Sequence, residues 1–472
     1  MANNTQTPAG SDSEIQSPSS AHEKSHDEHD HDIKYKTCSW QKTAALMFSE
    51  YITLSILSFP WAFSILGLVP AILLTIVLAA TCLYTSITLW KYCLLHPDIR
   101  DVCDIGQKLF WDSTLAYRIT AASFILHNLF IQGFHVLVGT QLLDTLSGSS
   151  QCSVVYGAIT AGVCFFISLP RTLDQLSGLG MVSAICMGIS ILLAIIFSAV
   201  EGRPAGYVPG VDPVVSVFPA STQTFVSGMS AFMNMVYIFI GQTSLPSFIA
   251  EMENPRDFPK ALWAVTGAMV VMFSLCGALM YIWIGNQYIV SPAFFSLTPT
   301  FRKLAFSFAA INILFLGSLF SSVSSRFIFF RIFEDSHHKH SHTLLGWSVW
   351  IGLVGLSWAS GFVIAEVIPF FSDMLSLVAS LFDGWFGFIF WAMAYLHMHP
   401  GHTKWATSRN SMETLVNYGF IALGFFILFA GTYVSSPRTF SSTASRHCQV
   451  SIQSILDSYK SQELTRPFTC QQ

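Results

Sequence analysis

Two stretches decide how this chain folds: Leu54–Gly67, LSILSFPWAFSILG, and Tyr237–Met252, YIFIGQTSLPSFIAEM. Both are apolar, and both carry Ser-x-Pro near the middle, as Ser58-Phe59-Pro60 and Ser244-Leu245-Pro246. Proline lacks the amide hydrogen and clashes with the preceding turn, so a helix is expected to break just before Pro60 and just before Pro246. In hydrocarbon, freed backbone groups are tolerated only where protein buries them or where they line a polar cavity. A single proline kink is more often packing than function. Two breaks of one type, in corresponding halves of a chain, point to inverted repeats around a shared site.

The surroundings of these stretches are equally apolar. Of the 472 residues 52% are hydrophobic and only 11% charged, against about 25% charged in an ordinary soluble domain. Residues 69–90, 178–200 and 261–284 contain no Lys, Arg, Asp or Glu. Runs of about 20 such residues cross the roughly 30 Å of a bilayer core as helix. Candidate spans fall at 43–66, 69–92, 117–143, 151–168, 177–200, 223–248, 260–285, 302–330, 344–366, 368–396 and 415–435. The expected fold is all-α and polytopic, with about eleven transmembrane helices. The interrupted stretches lie in the first and sixth spans, five apart. That divides the bundle into a repeat of about 43–200, a second of about 223–396, and an extra helix at about 415–435. Residues 1–39 and 436–472 read as polar tails, the first rich in Ser, His, Asp and Glu and expected to be disordered. The first tail has no apolar stretch and is expected not to be a cleaved leader.

Eleven spans put the termini on opposite sides, which the basic residues can test. With the N-terminus cytoplasmic, 16 of the 23 Lys and Arg fall on the cytoplasmic side and 7 on the other. Without the tails the short loops divide 12 to 3. That asymmetry predicts N-terminus in and C-terminus out. The net charge of −4 and the absence of a basic stripe argue against nucleic acid as a partner. The ten cysteines show no CxxC or spaced Cys/His pattern, so no metal is expected. Cys82, Cys164, Cys186 and Cys276 lie within spans and are expected to pack as small apolar residues. Cys448 and Cys470 share the last tail and could pair if it faces an oxidising compartment.

The breaks supply a chemistry. Amides at a half-helix N-terminus carry partial positive charge and hold carboxylates, while freed carbonyls at the facing end hold an ammonium group or a cation. An amino-acid zwitterion presents both charges. Its carboxylate is expected on the backbone of Ser55, Ile56, Leu57 and Ser58, and its ammonium on carbonyls from Phe239 through Gly241 to Gln242. Phe59, Tyr237 and Phe239 would form the apolar wall. The absence of Asp or Glu at the middle of either break argues against cationic substrates.

At these residues the sequence resembles the amino acid/auxin permease family, and its fungal neutral amino acid permease branch in particular. ILSFPWAFSILGLVPA (Ile56–Ala71) is similar to the family's first-helix motif. GQTSLPSFIAEMENPRDFPKAL (Gly241–Leu262) is similar to the end of its sixth helix and the loop that follows. LPRTLDQLSGLGMVSA (Leu169–Ala184) and IPFFSDMLSLVASLF (Ile368–Phe382) resemble its loop before helix five and its tenth helix. The resemblance covers roughly residues 40–435. It implies the five-plus-five inverted-repeat fold of the bacterial leucine transporter, substrate at the breaks of helices one and six, and amino-acid uptake driven by protons or sodium. Many plant and animal members carry His where this chain has Gln242, and glutamine cannot titrate near neutral pH.

Ionisable residues within spans are functional candidates by default. His127 could carry a proton, or be a neutral imidazole bonded to a backbone carbonyl, and Asn128 could face the substrate. Glu50 is a candidate for coupling or for structural pairing. Ser318, Ser321 and Ser322 of the eighth span are candidates for a sodium site, which in the resembled fold joins helix eight to helix-one carbonyls; helix packing is their other use. Proton coupling is the first expectation and sodium the second. Pro60, Pro246, Glu251, Arg256, Asp257 and Asp373 are gating candidates. Glu251, Glu253, Arg256, Asp257 and Lys260 form either a salt-bridge network at an inner gate or a solvated turn. One of Asp373 and Asp383 in the tenth span is expected to pair with a cation or cap a break at Gly384, in a gating or structural role rather than in substrate contact. The histidine runs His22, His26, His29, His31 and His337, His338, His340, His342 are expected to be flexible polar segments. The sequence thus predicts a neutral amino-acid symporter of the lipid bilayer, in the plasma membrane rather than the vacuole, without cofactor. The rival is a non-transporting amino-acid receptor on the same fold; no nucleophile–base motif suggests an enzyme.

Overall fold

The computed structural model describes residues 38–435, apart from 172, 173, 335 and 340. The polar tails, Cys448, Cys470, His340 and the N-terminal histidines lie outside the described residues. Among those described the chain is helical, with an isolated parallel bridge between Cys38 and Met252. In order, the helices are α1 (Trp40–Tyr51), α2 (Phe59–Leu66), α3 (Leu68–Leu95), α4 (Val102–Leu109), α5 (Thr114–Ser147), α6 (Ser153–Ile167) and α7 (Asp174–Val200). The second half brings α8 (Phe225–Phe239), α9 (Leu245–Glu251), α10 (Phe258–Ile284), α11 (Pro299–Ile332) and α12 (Leu344–Val367). Then follow α13 (Phe371–Val378), α14 (Phe390–Met398) and α15 (Ser408–Phe426).

Eight helices among the described residues are long and apolar enough to cross a membrane unaided. The pair α1 and α2, bent by 47° at its break, makes one more. The shorter apolar α6 and the pair α8 and α9 complete eleven crossings. The outward faces are those of a lipid-bathed protein: Leu73, Ile76 and Val77 of α3 point out, while Thr75, Leu78 and Ala79 point in. α5, α11 and the tenth span are buried along most of their length and form the inner scaffold.

The loops segregate to two ends. At the end holding Trp40, Trp90 donates to the Pro255 carbonyl at 2.7 Å, Ser247 to that of Arg100, and Arg171 to those of Ser341 and His338. At the other end Leu68 and Val69 bond the carbonyls of Ser216 and Val217, and Thr298 bonds Glu201. That is the alternation eleven crossings require. The helices also match between halves. α5 and α11 are each 34 residues, and α3 and α10 are 28 and 27. Because five crossings is an odd number, the second repeat starts on the opposite side from the first. The bundle is a five-plus-five inverted repeat, with α15 as the extra helix.

Candidate functional site

The two Ser-x-Pro sequences adopt one local geometry. Ser58 (φ −82°, ψ −21°) and Ser244 (φ −91°, ψ −20°) each stand at the N-cap of the second half-helix. Each hydroxyl lies within reach of the carbonyl three residues back, Ser58 of Ser55 at 2.8 Å and Ser244 of Gly241 at 2.9 Å, the one Ser244 hydrogen being divided between Gly241 and Glu50. Pro60 and Pro246 fall in the first turn of α2 and α9, where a missing amide hydrogen leaves nothing unpaired.

The breaks differ in length. In the sixth span the chain leaves helix at Ile240 and resumes at Leu245, directly before the proline as expected. In the first span the break lies further upstream than Pro60 suggests. α1 stops at Tyr51, Ile52 and Thr53 are non-helical, and a 3₁₀ turn over Leu54–Ser58 leads into α2. The opening amides of that turn have no partner within it.

Most of the predicted substrate residues converge here. Ser55, Ile56, Leu57, Ser58 and Phe59 are buried, as are Phe239 and Gln242. The rings of Phe59, Phe239 and Phe273 pack with centroids 5.2–6.3 Å apart. Tyr51 lies against Gly241, where an added Cβ would come within 3.1 Å of its ring. The Phe239 carbonyl accepts from Cys82 Sγ at 2.9 Å, a polar use of a cysteine expected to be an apolar filler. Gln242 turns toward α3 and donates to Thr85 at 3.0 Å. It lines a cavity of about 10 Å³ with Cys82, Thr85 and Phe388, room for about one water molecule. Tyr237 stands apart, its ring beside Phe134, and Asn128 is buried on α5.

Two side chains tie the breaks to their surroundings. Glu50, half-buried at the end of α1, accepts from Ser244 at 2.7 Å. Asn312 of α11 donates to the Ile52 carbonyl at 3.1 Å and to Ser183 of α7 at 3.0 Å. The residue of the eighth span that meets a helix-one carbonyl is therefore this amide. Ser318 bonds the Cys164 carbonyl and Ser321 bonds Ser357 of α12. The Ser322 hydroxyl is buried without a partner.

Of the gating candidates, Asp257 pairs with Lys260 at 2.7 Å, three residues on, while Arg256 and Glu251 are exposed. Cys38 forms backbone bonds with Glu251 and Glu253, fixing the start of α1 to the end of α9. Asp373 lines a cavity of about 410 Å³ at the end away from Trp40, with Trp61, Gln141, Phe295 and Phe370. Asp383 lies outside that cavity, in a π-helical stretch (Ala379–Ile389) that carries the tenth span through Gly384 without a break. His127 Nε2 is 3.9 Å from its carboxylate. The loop histidines bond locally, His338 to Thr343 and His342 to Trp347. Tyr51, Thr85 and Cys82 escaped the sequence reading, because nothing in the first or third helix marks which residues face a break in the sixth.

Two interrupted helices meeting at mid-bundle, inside a five-plus-five inverted repeat, are the architecture of a membrane transporter. The chain belongs to the transmembrane amino acid transporter protein family, whose match spans residues 36–436. It is 29% identical over 440 residues to the N amino acid transport system protein of Neurospora crassa, covering 93% of this chain and 89% of that one. A transmembrane transporter of Gibberella moniliformis is 25% identical over 404 residues, covering 85% of this chain and 84% of the relative. An inward-facing structure of Mhp1 matches with a TM-score of 0.53 at 14% identity, covering 93% of this chain and 97% of that one. At that identity the likeness shows the shared fold.

Proposed function

We propose that this transporter carries neutral amino acids by alternating access, together with protons. The observation that carries the proposal is the pairing of half-helices across the two breaks. α1 and α9 are joined by the Glu50–Ser244 bond and by Cys38, while α2 and α8 are joined through Phe59 and Phe239. Opening one pair while the other stays shut is the motion alternating access needs. The facing backbone ends suit the two charges of a zwitterion once the pairs part. Its carboxylate would take the opening amides of the Leu54–Ser58 turn, and its ammonium the carbonyls at the end of α8, now held by Cys82 and Ser244. The aromatic wall and the lack of a free charge at the middle of the breaks favour an uncharged side chain. The name of the Neurospora relative supports amino acids as cargo.

Proton rather than sodium coupling is favoured by Asn312. Its amide hydrogen takes one of the two lone pairs of the Ile52 carbonyl, so a neutral donor already meets the helix-one oxygen nearest the eighth span. The proposed location is the plasma membrane with the N-terminus cytoplasmic, an orientation supported by the division of the basic residues.

Uptake of radiolabelled alanine, leucine and phenylalanine into proteoliposomes, with and without an inward pH gradient, tests this. Gradient-driven accumulation of at least one is expected; no uptake under either condition refutes transport. Replacing Gln242 with Ala is expected to weaken substrate affinity, and unchanged affinity would remove it from the site.

A further inference from the structure

His127 and Asn128 on α5 and Asp383 in the tenth span are buried between those elements, off the helix breaks. Asp383 Oδ1 stands 3.9 Å from His127 Nε2, with side chains 1% and 6% exposed. At that distance the pair is within ion-pair range and beyond hydrogen-bond reach. His127 Nδ1, Asp383 Oδ2 and Asn128 Nδ2 have no hydrogen-bond partner. Phe382 and Phe386 flank the imidazole, with ring centroids 5.2 and 6.2 Å away. An ionised carboxylate in so apolar a place is costly, and binding a proton relieves the cost.

The surroundings are built for this. Asp383 occupies a π-helical stretch, a geometry that recurs at functional sites because it gives up regular helical bonding. α15 and its continuation close over the stretch through Gly424, Ile427 and Gly431, and Ile240 covers Gly387. None of these four residues can titrate. Among the described residues, the titratable group within ion-pair range of Asp383 is His127 from α5; the phenol of Tyr237 from α8 is the other one near enough to sense its charge. Tyr237 lies on the last turn of α8, two residues before that helix ends, with its ring against Phe134 of α5.

We propose that Asp383 and His127 form the proton-binding site of this transporter. One proton enters from the medium onto the Asp383 carboxylate, which His127 faces within ion-pair range, and leaves to the opposite side. This assignment rests on the proton-coupled function proposed above.

The test uses the full chain in proteoliposomes with the membrane potential clamped at zero and the same three radiolabelled amino acids. With one proton per substrate, a gradient of one pH unit drives up to about tenfold accumulation in the wild type. Asp383→Asn is expected to lower accumulation to about onefold and abolish substrate-driven proton entry, while counterflow exchange remains measurable. His127→Gln is expected to move the pH of half-maximal uptake. Asp383→Glu, which restores an exchangeable proton, is expected to recover accumulation. Wild-type accumulation in both Asp383→Asn and His127→Gln overturns the assignment and leaves the transport function standing. Loss of exchange in both Asp383→Asn and Asp383→Glu marks a packing role and also overturns it. A wild type that shows no gradient-driven uptake removes the coupling proposal and this one together.

Discussion

The hydroxyl of Ser244 donates to Glu50 Oε2 at 2.7 Å, joining the second half of the sixth span to the first half of the first. These side chains lie on half-helices that also share the Cys38 backbone bonds, so α1 and α9 are held as one unit. Ser244→Ala leaves the Glu50 carboxyl without that donor. The expected loss is about 1.5–3 kcal/mol if the group is charged, read as a lower melting temperature of the purified protein in detergent. Glu50→Gln keeps an acceptor for Ser244 and is expected to cost less. An unchanged melting temperature in Ser244→Ala would show that the bond does not hold the unit together.

Asn312 ties the first span's break to both α11 and α7. Asn312→Ala leaves the Ile52 carbonyl and the Ser183 hydroxyl short of a partner in the protein interior. About 1–3 kcal/mol of stability is expected to go with it. On the proposed proton coupling, uptake is expected to be the same in sodium and in choline buffer. A several-fold drop on sodium removal would show that a cation competes successfully for that carbonyl.

The contrast between Ser58 and Asn312 explains what the sequence could and could not disclose. Ser-x-Pro is a local signal: proline starts a helix wherever it falls in the first turn, so α2 and α9 were legible at Pro60 and Pro246. Where the preceding half-helix stops is a separate matter. The sixth span resumes within a few residues, but the first inserts the Leu54–Ser58 turn after a stop at Tyr51. That stop is secured by Asn312, a partner far away in sequence. Choosing Asn312 over Ser318, Ser321 or Ser322 needs the rotation of α11 about its axis, which a helix as evenly apolar as this one does not reveal. His127 was legible as an ionisable residue within a span. Its pairing with Asp383 was not, since it depends on the π-helical stretch that turns the carboxylate toward α5.

The contact between α15 and the tenth span depends on two glycines. A Cβ at Gly424 would lie 2.5 Å from the Gly384 carbonyl oxygen, and one at Gly384 would lie 2.7 Å from that of Gly424. Backbone cannot yield as a side-chain tip can, so Gly424→Ala is expected to push the helices apart at a cost of about 1–3 kcal/mol. A Cβ added at Gly419, on the same helix, would meet nothing within 4 Å, and Gly419→Ala is expected to leave stability unchanged or slightly raised. Thermal unfolding of the two variants side by side separates crowding from any general effect of alanine. Equal melting temperatures would show that α15 is not seated by this contact.

Arg171 makes the sharpest test of the loops at the Trp40 end. Its guanidinium donates to the Ser341 and His338 carbonyls at 3.3 and 3.4 Å and lies over Phe329, 4.5 Å from the ring centroid. It therefore fastens the segment after α6 to the link between α11 and α12. A lysine keeps the charge but not the planar fork, and it cannot reach two carbonyls while stacking on a ring. Arg171→Lys is accordingly expected to behave like Arg171→Ala, each losing about 1–3 kcal/mol. The same variants are expected to expose the 336–343 link to protease, because the carbonyls that hold it down are those Arg171 binds. If Arg171→Lys melts and resists protease like the wild type, charge alone holds the loop and the bidentate geometry is incidental.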